Sequence, residues 1–169
     1  MKLVDLIQTL DKTKTYVINE VGNSIEADII QDLQHQVYKQ YEKKSLPTHT
    51  FALKFVNNEW TVWENHLKWH GIKEYPAIQY ESDATKFYIN EYSLDFDAMD
   101  YHLIHNPGYS VLNLAEITEK RLLGKIPLPN TLGWVCSQSV AACNFDICLK
   151  LNLPFEVITP SDFYHYFQK

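Results

Sequence analysis

Glycine is scarce, five in 169 residues. None of the five falls in a phosphate-cradling loop, a dinucleotide fingerprint or a GxSxG elbow, so the folds those motifs mark are not expected. No apolar run approaches the roughly 18 residues that a membrane-spanning helix needs. The opening stretch "MKLVDLIQTLDKTKTY" has one early lysine, an acid at Asp5 and no cleavage site. It does not read as a signal peptide, and a cytoplasmic protein is expected. Cationic charge is thin as well: 15 Lys and Arg, scattered, stand against 21 Asp and Glu, for a net charge of -6. That leaves no electrostatic footprint for a nucleic acid. The three cysteines, Cys136, Cys143 and Cys148, are odd in number and lack scaffold spacing, which suits a reducing compartment without disulfides. No repeat, low-complexity tract or linker breaks the chain, so residues 1–169 are expected to form one domain.

What is present is a core. Hydrophobic residues make up 46% of the chain and aromatics 14%, the composition of a compact fold rich in strands. Residues 2–11 read as a short helix and "TYVIN" (15–19) as a strand. Ser24 is placed to cap a helix over 25–44, on which Ile25, Ile29, Ile30, Leu33, Val37 and Tyr41 recur at three- and four-residue steps as a buried stripe. "THTFALKFV" (48–56) and "EWTVWENHL" (59–67), separated by Asn57-Asn58, read as a hairpin. Further strands are expected at 75–81 and 86–94, a loop at 95–108, and a helix at 111–124 that Gly124 stops. "KIPLPNTLG" then crosses in extended form to a helix starting near Cys136. A strand "FEVIT" and a terminal helix after Pro160-Ser161-Asp162 close the chain. The fold class is α+β, a mostly antiparallel sheet with helices on one side.

Three residues carry candidate chemistry. Gly133 prevents helix before Cys136, so this cysteine falls in a first helical turn, where unpaired N–H groups favour a thiolate and could hold an oxyanion. The alternative is a small buried hydrophobe, the reading that Cys143 and Cys148 also receive. A thiolate needs a base, and of seven histidines His49 differs in opening a strand whose face continues with Phe51, Leu53 and Phe55. Glu64 shares a face with Trp60 and Val62, where a carboxylate needs a cationic or hydrogen-bonding partner such as an imidazolium on the neighbouring strand. His66, on the same face, is its rival. The pairs His66/His70 and His102/His105 have ligand-like spacing but no HExxH glutamate, and no metal or other cofactor is expected.

The order of these pieces resembles the circularly permuted papain-like cysteine hydrolases of the NlpC superfamily, particularly the YiiX-like group, and more distantly the lecithin:retinol acyltransferase-like proteins. "THTFAL" is similar to that family's histidine-led strand, "TVWENHLKWHGI" to its following polar-residue strand, "VCSQSV" to its nucleophile motif and "VITPSDF" to the segment after it. "GYSVLNLAEI" (108–117) is similar to the tyrosine-led helix that precedes the nucleophile. Two positions depart from the pattern: "KTYVINEVGN" lacks the usual Gly-Asp, and Gln138 replaces an acid after Cys-Ser. The resemblance implies a permuted papain-like fold in which Cys136 attacks a carbonyl, His49 moves the proton, Glu64 orients the ring and the Cys136 N–H meets the oxyanion.

The expected activity is hydrolysis of an amide in a peptide, a cell-wall peptide fragment or an acyl amide, without a cofactor. Two alternatives accompany it. One is lipid acyl transfer or thioester cleavage by the same triad, and the other is a non-catalytic binding or immunity-type protein, consistent with a small acidic, aromatic-rich domain.

Overall fold

Asn57 and Asn58 both adopt positive φ, 49° and 66°, the conformation a tight hairpin turn demands and asparagine tolerates. In the computed structural model, which describes residues 2–123, 133–144 and 146–168, they join β2 (His49–Val56) to β3 (Glu59–His66). With β1 (Tyr16–Val21), β4 (Gly71–Pro76) and β5 (Lys86–Glu91) these strands form an antiparallel sheet of order β4-β3-β2-β1-β5.

Strand alternation gives the sheet two apolar faces. Val17, Ala52, Trp63 and Ile72 pack under Val140, Ala141, Cys143 and Phe163. Those four come from α5 (Cys136–Ala142), the residue that follows it and α7 (Pro160–Phe167). Ile18, Phe51, Leu53 and Val62 face the other way, covered by Leu3, Ile7 and Ala77. The first of these lies in α1 (Leu3–Leu6). The main helical layer therefore lies on one face, as expected of an α+β chain, while a short N-terminal helix and the 77–84 segment cover the second. Among the described residues no helix is long and apolar enough to cross a membrane.

Several elements differ from expectation for definable reasons. Residues 96–105 are helical, α3 (Phe96–His105), because Asp95 caps the run by accepting from the Ala98 N–H at 3.1 Å and Met99 is buried. The strand expected at 75–81 begins instead at Gly71, and residues 77–79 coil into a 3₁₀ turn after Pro76. "FEVIT" is no strand: Phe155–Val157 is a 3₁₀ turn that feeds α7, with Pro160 at its first position. The helix from Cys136 divides into α5 and α6 (Asp146–Leu151). α4 spans Val111–Leu123, and the crossing at 125–132, like the stop at Gly124, lies outside the described residues.

The largest difference concerns α2 (Ile25–His35), which ends well before the expected residue 44, Lys43–Ser45 forming a separate 3₁₀ turn. Ser24 caps it as expected, accepting from Ala27 N–H at 3.1 Å. Its apolar stripe is buried only in part, however: Ile25 is 79% and Ile29 54% exposed, Ile30 and Leu33 pack against Ile117, Val135 and Val157, and Gln31 and Gln34 are inside. The glutamines go in because they satisfy backbone groups that would otherwise be stranded. Gln31 donates to the Leu46 carbonyl at 3.1 Å, and Gln34 donates to the Pro47 carbonyl at 2.7 Å while accepting from Ser161 N–H at 2.8 Å. The segment leading into His49 is thereby tied to α2 and to the start of α7.

A buried carboxylate anchors α7. Asp162 accepts from the Thr159 N–H and hydroxyl, both at 2.7 Å, closing the helix N-terminus. The same carboxylate meets the Arg121 guanidinium at 2.7 Å and the Tyr38 hydroxyl. One residue before this cap, the Ile158 carbonyl accepts from the Ser137 hydroxyl at 2.8 Å, linking α7 to the first turn of α5.

Candidate active site

His49 opens β2 and is buried. The β2–β3 register, in which Leu53 faces Val62 and Ala52 faces Trp63, puts Glu64 on the same sheet face as His49, one diagonal step away. His49 Nε2 donates to Glu64 Oε2 at 2.7 Å. The other carboxylate oxygen accepts from the Tyr75 hydroxyl at 2.6 Å and the Trp69 indole N–H at 3.0 Å. Burial raises the Glu64 pKa, but its bond and charge interaction with His49, together with the Tyr75 bond, outweigh that and hold it at about 2.

Cys136 lies close enough to the same imidazole to raise its pKa. Nε2 is already engaged, so Nδ1 is the ring nitrogen left for sulfur. Burial works to lower the His49 pKa, yet Cys136 and Glu64 on its two sides keep it well above 6.5. The three residues singled out in the sequence thus lie in one row, His49 bonded to Glu64 and flanked by Cys136. α5 packs on the sheet face opposite to His49, through Val140 and Ala141, and only its first residue reaches the strand end where the histidine stands.

The start of α5 is held rigidly. Gln138 is fully buried and its Oε1 accepts from Val135 N–H and from the Asn113 amide, both at 2.9 Å, while its own amide donates to the Glu156 carbonyl. The residue that departs from the resembled pattern is therefore a clamp on the helix end. Asn65, next to Glu64, reaches the Gly108 carbonyl at 3.1 Å and the Ser139 hydroxyl at 2.7 Å. Gly133 turns the chain there with φ +101°, and a Cβ on it would lie 3.0 Å from the Gly108 carbonyl carbon, so only glycine fits. Backbone hydrogen bonding within α5 starts with the N–H groups of Gln138 and Ser139, both to the Val135 carbonyl, which leaves the Cys136 N–H ahead of the ladder.

The other cysteines are chemically quiet. Burial pushes the Cys143 thiol up to about 12 and that of Cys148 to about 11, so neither offers a thiolate near neutrality.

His66, the rival partner, stands on the same face with its ring edge-on to His49 at 5.0 Å. Its Nδ1 accepts from the Lys68 N–H at 3.0 Å, which leaves the proton on Nε2. Burial, followed by the charge of His49, lowers its pKa to about 4. The folded protein refuses a proton that the unfolded chain accepts below about 6.5, so His66 is expected to withdraw stability as pH falls from about 6.5 to about 4. Denaturant unfolding of wild type and His66→Gln across that window checks this: the variant's stability should fall less steeply, and equal slopes would assign the loss elsewhere, for example to His102, whose pKa burial also lowers.

His66 Nδ1 is occupied, the His102 ring packs edge-on against Trp134, and His105 Nδ1 donates to the Tyr101 carbonyl at 2.9 Å. Among the described residues no three His, Cys, Asp or Glu side chains converge.

A cavity of about 540 Å³ opens beside the row, with His49, Glu64, His66 and Tyr109 on its lining. One wall is a face of α2, with Ile29, Ile30 and Leu33, and another is aromatic, with Trp69, Tyr75 and Tyr80. Burial, then the charges of Cys136 and Glu64, pushes the Tyr109 phenol up, so it stays a hydroxyl donor. Sequence reasoning missed Trp69 and Tyr75 as partners of Glu64, because their placement depends on how β3 and β4 pair. It also missed Glu20 on the cavity lining; the signal was an acid at the end of an otherwise apolar strand face. No protein-family model and no curated protein sequence matches the chain.

Proposed function

We propose that this chain is a cysteine hydrolase with a permuted papain-like fold, acting on an amide carbonyl. The observation that carries the reading is the row itself, a histidine bonded on one side to a buried carboxylate at 2.7 Å and flanked on the other by a cysteine at the first position of a helix. Cys136 and His49 exchange the thiol proton, and the sulfur attacks the carbonyl carbon. The oxygen takes up negative charge next to the Cys136 N–H. Collapse breaks the C–N bond, and the amine leaves with the proton from His49. Water, deprotonated by His49, then attacks the thioester, releases the acid and returns the proton to sulfur. Glu64 holds the ring in orientation and stabilises the imidazolium, and Tyr109 offers an O–H on the same cavity.

The substrate of this reading is a peptide, a cell-wall peptide fragment or an acyl amide. Acyl transfer is the second reading, and the apolar wall of α2, which an acyl chain would cover, favours it. Alkylation by iodoacetamide, read by peptide mass spectrometry, tests the shared nucleophile. Cys136 is expected to react at pH 7 about 10²-fold faster than Cys143 or Cys148. Equal, slow labelling of all three would replace the enzyme with a binding module.

A further inference from the structure

Glu20 faces His49 directly across the β1–β2 pair, which puts the two Cα atoms about 4.5–5.5 Å apart with their side chains on one face. The residue is 7% exposed. It lies on the lining of the cavity. One carboxylate oxygen accepts from the Ser82 hydroxyl at 2.7 Å, and the other from the Tyr80 hydroxyl, which burial and the Glu20 charge keep protonated. Among the described residues no lysine, arginine or histidine lies within ion-pair distance of it. Lys68, the cavity's lysine, is paired with Glu81. A buried carboxylate satisfied only by neutral donors is costly, and it is placed where a cation would interact strongly.

We propose that Glu20, steadied by Tyr80 and Ser82, is the receptor for an ammonium group that the substrate carries close to its scissile carbonyl. The inference rests on the Cys136 reading for what lies next to it. The occupant is an amine and not a metal ion, because one carboxylate and two hydroxyls already donating to it make a poor ligand set, whereas an ammonium can share both carboxylate oxygens. The exposed Ile29 side chain on the adjoining wall gives an alkyl stem a surface to cover. Sequence order hides the site: Glu20 and Tyr80 are brought together only by the packing of the 77–82 segment on the sheet.

The test uses the intact chain. ¹⁵N-labelled protein is titrated with n-butylammonium chloride, with n-butanol and potassium chloride in parallel. The ammonium alone should give saturable shifts at the Glu20, Tyr80 and Ser82 amides, and binding should weaken about tenfold or more in Glu20→Gln, which keeps an acceptor oxygen. Glu20→Asp, which retains the charge one methylene back, is expected to fall between and serves if the glutamine variant does not fold. Absence of saturation in wild type, or equal binding in Glu20→Gln, overturns the proposal.

A second measurement places the site relative to Cys136. Methanethiosulfonates bearing an ethylammonium or an ethylsulfonate arm react as the Cys136 thiolate attacks the sulfenyl sulfur; the S–S bond forms as methanesulfinate leaves with the electron pair. Normalised to 2-mercaptoethanol, the cationic reagent should be favoured about tenfold in wild type and severalfold less in Glu20→Gln; a ratio near one in wild type, or the same ratio in both proteins, overturns the placement beside the carbonyl. The uncharged methyl reagent reports separately on the nucleophile. If it labels Cys136 no faster than the other cysteines, the hydrolase reading fails and the titration alone decides the ammonium site.

Discussion

In a His49→Ala variant, turnover of an activated p-nitrophenyl ester at pH 7 is expected to fall by about 10³-fold or more, and Cys136→Ala should abolish it. Among the described residues the histidine is the group positioned to hold the thiol proton, and Cys136 and Glu64 raise its pKa well above 6.5 against the opposing effect of burial. Glu64→Gln should lose less, about 10- to 100-fold, and should also change the shape of the pH profile. With the carboxylate gone one of the two influences that raise His49 is removed, so the alkaline limb of the rate should move to lower pH. Stopped-flow kinetics from pH 5 to 10 would read both effects. A Glu64→Gln profile that falls in height without moving would mean that the carboxylate acts only as a brace for the ring.

Asp162→Ala is expected to cost about 3–5 kcal/mol of folding stability, or a Tm lower by roughly 10 °C. The side chain is fully buried and receives Arg121, Tyr38 and both donors of Thr159. Its removal strands a guanidinium and opens the cap of α7 at once. Asp162→Asn, which retains one cap acceptor, should lose clearly less. The damage should also reach Cys136, because the Ile158 carbonyl that holds Ser137 lies just before this cap; slower alkylation of the folded fraction would show it. A cost below about 1 kcal/mol in Asp162→Ala would mean that the network relaxes without it.

The parts of the fold legible in the sequence were those written in local alternation. The β2–β3 hairpin, with its two asparagines, and the cap at Ser24 needed no distant information. α2 was misjudged in part because Ile25 and Ile29 share the spacing of Ile30 and Leu33, which do pack inward, and the groups that draw Gln31 and Gln34 inside belong to Leu46, Pro47 and Ser161, whose positions no local pattern reveals. α3 was missed because Asp97, Asp100, His102 and His105 mask a helix whose buried contact is chiefly Met99. In the candidate site, His49, Glu64 and Cys136 could be singled out by residue type, strand face and motif order. Trp69 and Tyr75 depend on the turn into β4, and Glu20 on the β1–β2 register, so both escaped a linear reading.

Chain order has a consequence for how such a site comes into being. The five strands are complete at Glu91, and with them the His49–Glu64 bond has both its partners. Cys136 is synthesised only later, on a helix whose docking surface, Ala52 and Trp63, already belongs to that sheet. In the proposed mechanism the thiol therefore emerges from the ribosome after its base and its orienting acid. Its activation would then wait on α5 settling against a finished platform, and a chain interrupted before that helix would carry the His49–Glu64 pair without the proposed nucleophile.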